Sequence, residues 1–382
     1  MTVPFSKDHR AAPYQAYLDQ QYFLSLNGLR FLCIVAVLWH HAPGNGQVNS
    51  VQLLERGFVG VDFFFVLSGF LITTLLLREE RRKGAISLAG FYRRRALRIL
   101  PAYLLLVTAV SVYWIGVKGQ TELLGLVPYY YVFLANFLKS DIPLLSITWS
   151  LSVEEQYYLL WPALLILLPA ATRLRAAVLS GLVVLCLLAM LGLGEWLDLP
   201  RLETSQAIFV WPGMSYAAIL SGSLVAVLLN HPRGFRCLWR LCGWNGAPVV
   251  LSAMLLLYLH LTPESLLGWP ALGMDMLMAL CLASLVVRED HALRPVLTFA
   301  PVARVGEISY GLYLYHLIGL HIANELAFFG GLAGSQAKWA VTLVYPLISI
   351  AIAEASFRSF ERYFLTLRFK PALRKGQPAT SR

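Results

Sequence analysis

The chain has 382 residues, of which 58% are hydrophobic and 14% are charged. A typical soluble domain is about half apolar and about a quarter charged, so a soluble protein of this size would lack the interior to bury so much apolar surface. These proportions exclude an ordinary soluble enzyme, a disordered chain and a secreted disulfide scaffold. We therefore expect a polytopic membrane protein. The five cysteines are scattered, and their spacing predicts no metal site and no disulfide framework.

Ten apolar runs approach the length of about 20 residues that a helix needs to cross a bilayer core. We predict an all-α fold: a polytopic membrane helix bundle with about ten transmembrane helices. An eleventh apolar piece, around 128–138, is too short to span and is rich in tyrosine, which favours an interfacial or re-entrant segment. The ten runs are 26–43, 57–77, 99–117, 148–170, 176–193, 207–229, 246–262, 269–287, 307–328 and 338–358.

The basic residues predict the orientation of these helices. If the N-terminus is cytoplasmic, 25 of the 31 Lys and Arg residues fall in cytoplasmic ends and loops and five fall outside. This is the positive-inside pattern, and it accounts for the net charge of +10 without nucleic acid. We predict that both termini are cytoplasmic. The predicted divisions are an N-terminal segment 1–25, a transmembrane domain 26–358 and a basic tail 359–382.

Ionisable side chains inside a membrane cost at least about 2.5 kcal/mol each, so they are candidates for function. Arg30 and His41 are eleven residues apart, almost three helical turns, and therefore share one face of the first helix at a separation of about 16 Å. Asp62 is expected near the outer end of the second helix, level with His41. The structural alternatives are a snorkelling Arg, an interfacial His, and an Asp that favours a helix N-terminus.

A basic segment precedes the third apolar run. Arg94 and Arg98 are four residues apart, and Arg95 and Arg98 are three apart, so these pairs share a helix face and can hold phosphate groups together. The alternative is ordinary positive-inside charge or contact with anionic lipid.

A polar and aromatic stripe begins the fourth helix. Glu154 faces the same side as Ser150 and Tyr158, each four residues away, and a sugar can stack or hydrogen-bond against such a stripe. A capping box formed by Ser152 and Glu155 is the structural alternative for the second carboxylate.

The ninth helix carries a similar pattern. Tyr313 and His316 share a face, and His316 is expected near the midplane, although a lone buried histidine is more often a satisfied core residue. The predicted acceptor or channel lining comprises Trp149, Ser150, Tyr158, Tyr310, Tyr313 and His316.

These depths predict two layers. The inner layer is cationic and holds Arg30, Arg94, Arg95 and Arg98. The outer layer holds a base and two carboxylates, namely His41, Asp62 and Glu154. Such an arrangement suits an anionic cytosolic ligand that reaches across the membrane toward chemistry near the outside.

Taken together, these segments resemble acyltransferase family 3, the integral-membrane O-acyltransferases that modify bacterial glycans and some lipids and small molecules. The likeness extends over nearly the whole chain, and Phe360-Glu361-Arg362 also looks like the family's ending. The segments that carry it are Leu29-Arg30 with His41, the run 60–70, the run 91–101, Trp149-Ser150-Leu151 with Glu154, and Ser309-Tyr310 with Tyr313 and His316.

The resemblance implies transfer of an acyl group, usually acetyl, from cytosolic acyl-CoA to a hydroxyl. Arg30 and His41 match the family's essential Arg and His, and Arg94, Arg95 and Arg98 match its basic motif. In this interpretation the arginines bind the phosphates of CoA. His41 acts as general base or accepts the acyl group itself. Asp62 or Glu154 orients the ring, as a carboxylate does in hydrolytic triads.

The resemblance further implies a multi-pass protein of the bacterial cytoplasmic membrane, with acetyl-CoA as a donor substrate and no permanently bound cofactor or metal. The expected partners are acyl-CoA, a glycan or glycolipid acceptor and membrane lipids. The acceptor is an exopolysaccharide, lipopolysaccharide or lipo-oligosaccharide sugar, or less favourably an antibiotic or lipid. Family members often carry a second, extracytoplasmic domain. We expect this membrane unit to deliver the acyl group alone or to pass it to a separate protein.

Two other classes remain open from the sequence. A transporter or flippase for a glycan or acyl precursor would line a pathway with its intramembrane ions, but it predicts broken helices in paired halves, and the sequence shows no such symmetry. A membrane scaffold with a decayed site would not need Arg30, His41 and the basic segment together.

The predicted topology is testable with reporter fusions. Fusions after Gln120 and Leu202 should report a periplasmic location, and fusions after Gly84 and Gly234 a cytoplasmic one, because the charge bias places these loops on opposite sides. A cytoplasmic signal at Gln120 would overturn the orientation and the assignment of depths.

Overall fold

The structure, a computed structural model, describes residues 12–47, 51–198, 202–209, 213–263 and 266–367. Within these residues it is almost entirely helical, and its one short β-hairpin pairs Leu202–Glu203 with Ile208–Phe209. The predicted all-α class is confirmed. The chain ends 1–11 and 368–382, which include much of the predicted N-terminal segment and basic tail, lie outside the described residues.

Each of the ten apolar runs corresponds to one long helix, numbered here α1 to α10. The run predicted from residue 207 becomes helical only at Met214, because the hairpin occupies its first residues. The helices are α1 (Ser25–His41), α2 (Val59–Lys83), α3 (Leu88–Ser111), α4 (Thr148–Leu167), α5 (Thr172–Met190), α6 (Met214–Leu229), α7 (Ala247–Leu261), α8 (Trp269–Val287), α9 (Ser309–Phe329) and α10 (Gly334–Ser356).

Shorter helical pieces join these long helices. The short α-helices are Ala12–Asp19, Gln52–Glu55, Val127–Tyr131, Leu193–Trp196, Pro232–Cys242, Arg294–Leu297, Ala300–Glu307 and Arg362–Leu367. The 3-10 turns are Asn45–Gln47, Thr121–Leu126 and Ala135–Phe137, and π-helical turns extend α3 and α10 over Val112–Val117 and Phe357–Glu361.

Five helical segments of the described chain are long and apolar enough to cross a membrane, and a sixth results if Pro232–Cys242 and α7, bent by 74°, are taken as one span. The count is below ten partly because α1 and α6 have only 17 and 16 residues. Both are short for a bilayer core about 30 Å thick. The five segments are Val59–Lys83, Leu88–Val117, Thr172–Met190, Trp269–Val287 and Gly334–Leu367.

Contacts between helix ends fall into two groups. Before the start of α2, the Arg56 guanidinium donates to the main-chain carbonyls of Leu259 and Thr262, at 2.5 and 2.7 Å, and so caps the end of α7. Near the opposite end of α2, Glu80 accepts two hydrogen bonds of 2.7 and 2.8 Å from Arg175 at the start of α5. The directions of α2, α5 and α7 therefore fit an alternating bundle.

The segment around 128–138 folds back against α4. The Gln156 side-chain amide donates to the main-chain oxygen of Phe133 and to the side-chain oxygen of Asn136, both at 2.8 Å, and the Ala135 N–H donates to the Ser152 hydroxyl at 3.2 Å. These bonds satisfy the irregular main chain of a piece too short to span.

Helices α2 and α6 meet at two glycines. A Cβ added to Gly69 would collide with the main-chain oxygen of Ile219, and one added to Gly222 would collide with the main-chain oxygen of Val66. Only the absence of side chains at both positions lets these backbones approach so closely.

We expect Gly222→Leu to destabilise the bundle by about 3 kcal/mol, because overpacking of a close contact forces the backbones apart. The thermal midpoint of the detergent-purified protein, followed by tryptophan fluorescence, checks this. Gly181→Leu is the matched control, since a Cβ on this α5 glycine meets no atom within 4 Å. Equal midpoints for the two variants would contradict the proposed contact.

Candidate functional site

A cavity of about 530 Å³ lies between α1, α2, α3, α4 and α9. All five helices contribute residues that the sequence singled out or that lie beside them. The predicted site residues on its wall are Arg30, Arg95, Arg98, Ser150, Glu154, Tyr158, Tyr310 and Tyr313. Tertiary structure thus brings together residues that are up to 283 positions apart in the chain.

A second cavity of about 410 Å³ adjoins the first and shares part of its wall. Its cationic residues form the surface that we name the basic mouth: Arg78, Arg82, Lys83, Arg94, Arg95 and Arg98. Three of these, Arg78, Arg95 and Arg98, line both cavities, so the basic mouth leads into the larger cavity.

Part of the charge in the basic mouth is neutralised locally. The Arg94 guanidinium donates to Glu79 at 3.0 Å, and Lys83 donates to the same carboxylate at 2.9 Å. Arg94 also lies outside the larger cavity. Arg94 therefore differs from Arg95 and Arg98 of the predicted basic motif, which line the larger cavity.

No carboxylate lies within ion-pair distance of Arg30, Arg95 or Arg98 among the described residues, although Glu154 acts on Arg30 and Arg95, and Glu361 on Arg98, at longer range. Arg30 donates one hydrogen bond, of 3.1 Å, to the Asn27 side chain. The Arg95 guanidinium lies 5.2 Å from the centre of the Tyr158 ring, and neither Arg95 nor Arg98 forms a hydrogen bond or ion pair within the described chain. Three half-buried cations thus face one cavity, and an anion bound there would satisfy their N–H groups.

Glu154 is held in the same cavity by two hydroxyl groups. Ser68 donates to one carboxylate oxygen at 2.7 Å, and Tyr158 donates to the other at 3.1 Å. Glu154 lies six residues into α4, about 9 Å along the helix axis from its first residue. It lines the same cavity as Arg30, and no hydrogen bond joins it to His41 within the described chain.

The far wall of the cavity is fixed by tyrosines. The hydroxyl oxygens of Tyr313 and Ser150 are 2.6 Å apart, and each lies 3.0 Å from the main-chain oxygen of Ile147. The Tyr310 hydroxyl donates to the main-chain oxygen of Ile99 at 2.8 Å. These bonds join α9 to the start of α4 and to α3, so this wall is held by three helices.

Two histidines lie directly behind Tyr313. The His316 ring centre is 5.7 Å from that of Tyr313 and 4.8 Å from that of His41. The Nδ1 atom of His41 lies 3.0 Å from the Val37 carbonyl oxygen, and that of His316 lies 2.6 Å from the Tyr313 carbonyl oxygen. A carbonyl only accepts hydrogen bonds, so each Nδ1 carries the proton. The Nε2 atom of each neutral ring is therefore left with its lone pair.

Asp62 and Trp149 lie apart from this assembly. Neither lines the two cavities, and Asp62 forms no hydrogen bond with His41 in the described chain. The main-chain oxygen of Val37 orients the His41 ring at the place where a carboxylate was expected. Trp149 is 36% exposed and packs edge-on against Phe65, with ring centres 5.9 Å apart.

The capping alternative for Glu155 is wrong. Helix α4 begins at Thr148, so Ser152 lies inside the helix and donates back to the Thr148 carbonyl oxygen at 3.1 Å. Glu155 Oε1 is buried and has no hydrogen-bond partner among the described residues.

Sequence reasoning missed Ser68, Arg78 and Arg82. Ser68 is a polar residue within an apolar run, six positions after Asp62, and this is a signal that would have singled it out. Arg78 and Arg82 were counted only as positive-inside charge, yet their spacing of four residues places both on one helix face.

Comparison with known proteins identifies the family of the chain. A family model described as an acyltransferase domain, that of acyltransferase family 3, matches residues 23–355. The chain belongs to acyltransferase family 3. This confirms the resemblance drawn from the separate sequence segments.

Curated relatives carry names of the same kind. The chain is 25% identical to the peptidoglycan O-acetyltransferase OatA of Listeria monocytogenes, over 90% of this chain and 56% of the relative. It is 26% identical to the putative peptidoglycan O-acetyltransferase YrhL of Bacillus subtilis, over 95% and 58%. It is 25% identical to the O-acetyltransferase OatA of Staphylococcus aureus, over 94% and 60%. The chain thus spans less than two thirds of these relatives' length. No solved structure matches it.

Proposed function

We propose that the chain is a membrane O-acetyltransferase that moves an acetyl group from cytosolic acyl-CoA to a hydroxyl of an extracytoplasmic glycan or glycolipid. One observation carries this proposal: a single cavity joins three arginines, none in an ion pair within the described chain, to a wall backed by two histidines. Membership of acyltransferase family 3 and the O-acetyltransferase names of the relatives support the same reaction.

The donor is proposed to enter from the basic mouth. A cavity of about 530 Å³ falls within the range of about 300–1,000 Å³ that is usual for small-molecule sites. Arg95 and Arg98 are the residues expected to hold the pyrophosphate of CoA, since a guanidinium matches two phosphate oxygens at once. The pantetheine arm then extends along α1, from Arg30 toward His41. That interval measures about 16 Å along the helix axis.

His41 is proposed to act through Nε2, whose lone pair is free because Nδ1–H donates to Val37. As general base, Nε2 takes the proton of the acceptor hydroxyl while its oxygen attacks the thioester carbonyl carbon. The new C–O bond forms, the C–S bond breaks, and the CoA thiolate leaves and takes up the proton. His316, in ring contact with His41, and Tyr313 lie between this imidazole and the cavity.

A covalent route uses the same atoms in two steps. Nε2 first attacks the thioester carbonyl carbon, so that a C–N bond forms as the C–S bond breaks, and CoA leaves as its thiolate beside an acyl-imidazolium. The acceptor hydroxyl then attacks the acyl carbon, a C–O bond forms as the C–N bond breaks, and the hydroxyl proton passes to the CoA thiolate, so that Nε2 regains its lone pair. Both routes end with an ester on the acceptor and free CoA.

Glu154 is proposed to offset the positive charge of Arg30 and Arg95 while it holds Tyr158 in place, an assignment supported by its hydrogen bonds to Ser68 and Tyr158. Asp62, in the outer half of α2, is retained as a proposed site residue. We expect Asp62→Asn and Glu154→Gln to lower the rate less than His41→Ala, since neither carboxylate hydrogen-bonds the imidazole.

The proposed topology has ten spans with both termini in the cytoplasm of a bacterial cell, in the cytoplasmic membrane. The 25-to-five division of basic residues supports it. So does the grouping of helix ends around Arg56 on one side and Arg175 on the other.

The acceptor is proposed to be a cell-surface glycan. The names of the relatives favour peptidoglycan among the possible acceptors. Deleting the gene in its host and measuring O-acetyl esters separately in purified peptidoglycan and in surface polysaccharide tests this. Loss from one fraction, restored by the wild-type gene but not by His41→Ala, identifies the acceptor class. Unchanged ester content in every fraction would refute the proposed reaction.

Replacing Arg95 or Arg98 with Ala should weaken acyl-CoA binding, because each charge-assisted phosphate bond contributes about 1.5–3 kcal/mol. Arg30→Ala is expected to act in the same direction. Lys at these positions should restore only part of the affinity, since it lacks the planar fork. Calorimetry on the purified variants measures the effect. Arg94→Ala is the internal control, because Glu79 already neutralises Arg94. Unchanged affinity in all three main variants would remove the arginines from the donor site.

His41→Ala should abolish acetyl transfer while preserving expression and acyl-CoA binding, since loss of a general base typically costs about 10²–10⁴-fold in rate. Transfer from labelled acetyl-CoA in membranes, with protein levels matched by immunoblot, is the measurement. His40→Ala is the comparison, because the His40 ring packs against Phe58, with ring centres 5.7 Å apart, whereas the His41 ring packs against His316. Near-wild-type transfer by His41→Ala would exclude His41 as base and as acyl carrier.

A further inference from the structure

The basic mouth holds more cations than the proposed pyrophosphate contact uses. Arg78 and Arg82 lie one helical turn apart near the end of α2, and both line the second cavity. Arg82 lies fourteen residues beyond Ser68 on the same helix, a distance of about 21 Å along the axis. The two cavities share wall residues, so one extended ligand can occupy both, and Arg82 lies far from the proposed thioester end.

The cations at the end of α2 differ in what they contact. Lys83 is engaged by Glu79. The Arg78 guanidinium lies 5.1 Å from the centre of the Phe23 ring and donates to the Tyr17 main-chain oxygen at 3.4 Å. Arg82 is exposed, lines the mouth and forms no hydrogen bond or ion pair with any described residue. It is thus a guanidinium whose donors all remain available to a ligand.

An aromatic ring stands at the same place. Tyr22 lines both cavities and is 78% exposed. An exposed aromatic face next to arginines is the combination on which nucleic-acid bases stack while their phosphates are neutralised.

We propose that the basic mouth contains a second phosphate subsite, in which Arg82, with Arg78 beside it, binds the 3′-phosphate of the donor's adenosine while Tyr22 stacks on the adenine. This inference rests on the proposed function, because it takes CoA as the donor. In this arrangement the pyrophosphate lies beside Arg95 and Arg98, which line both cavities, and the adenosine lies in the basic mouth. The protein then distinguishes CoA from its analogue without the 3′-phosphate.

The experiment compares the affinities of CoA and 3′-dephospho-CoA for the full chain, purified in a neutral detergent. We expect the wild type to bind CoA about ten-fold more tightly than 3′-dephospho-CoA, as one charge-assisted contact provides. In Arg82→Gln the affinity for CoA should fall about ten-fold and that for 3′-dephospho-CoA should stay unchanged, so that the ratio approaches one. Arg82 has no internal partner, so this variant keeps its fold.

Arg81→Gln is the matched control. Arg81 is the neighbouring arginine on α2, but it hydrogen-bonds Asn230 and lines neither cavity. The ratio of the affinities for CoA and 3′-dephospho-CoA in Arg81→Gln should equal that of the wild type. A ratio that stays near ten in Arg82→Gln overturns the subsite and leaves the proposed donor intact, because CoA still binds. Absence of CoA binding by the wild type overturns both.

An anionic lipid headgroup offers the same phosphate chemistry, and a second arm distinguishes the two sources. Phosphatidylglycerol added to the detergent should leave the ratio of the wild type unchanged if the 3′-phosphate occupies the mouth. The proposal is wrong, and Arg82 binds lipid, if two results occur together. The lipid raises the thermal midpoint of the wild type but not that of Arg82→Gln, and the ratio of the affinities for CoA and 3′-dephospho-CoA is the same in both proteins.

Discussion

Three guanidinium groups converge on one cavity inside an apolar helix bundle, and the structure around them is organised by their charge. No carboxylate lies within ion-pair distance of Arg30, Arg95 or Arg98 among the described residues, and ions of one sign held close together repel one another. The described bundle offsets them only in part, through the Tyr158 ring under Arg95 and the nearby Glu154 carboxylate. The proposed anionic donor would supply the missing negative charge, and its binding would then stabilise the protein around these arginines.

The scaffold that holds these charges depends on backbone contacts that only glycine permits. Gly69 and Gly222 let α2 and α6 touch, and Ser68, the residue before Gly69, hydrogen-bonds Glu154. A displacement of α2 at this crossing would therefore move the Glu154 carboxylate. On the opposite side of the site, the Tyr345 hydroxyl donates to the Leu38 carbonyl oxygen and ties α10 to the turn of α1 that precedes His41. The end of α1 that carries His41 is thus held by α10, whereas Arg30 lies near the other end of the same helix.

The side chain of Tyr313 lies between the cavity and the two histidines. Tyr313 closes the far end of the cavity with its hydroxyl near Ser150, and its ring faces His316. In the proposed reaction, the acetyl group passes this ring on its way from the thioester in the cavity to the acceptor hydroxyl. The long, charged part of the proposed donor stays in the basic mouth while its reactive end approaches the imidazole pair.

The sequence by itself determined the helical class, the positions of the ten long helices, and most residues of the cavity, because hydropathy and intramembrane charge are local properties of a chain. The spacing of Arg95 and Arg98 sufficed to place them on one face. Tertiary packing decided which residues meet. It paired Glu154 with Ser68 rather than with His41, because that contact depends on how α4 packs against α2, which the pattern of a single helix does not determine. It also brought His316 against His41, two residues 275 positions apart whose contact depends on how α9 packs against α1.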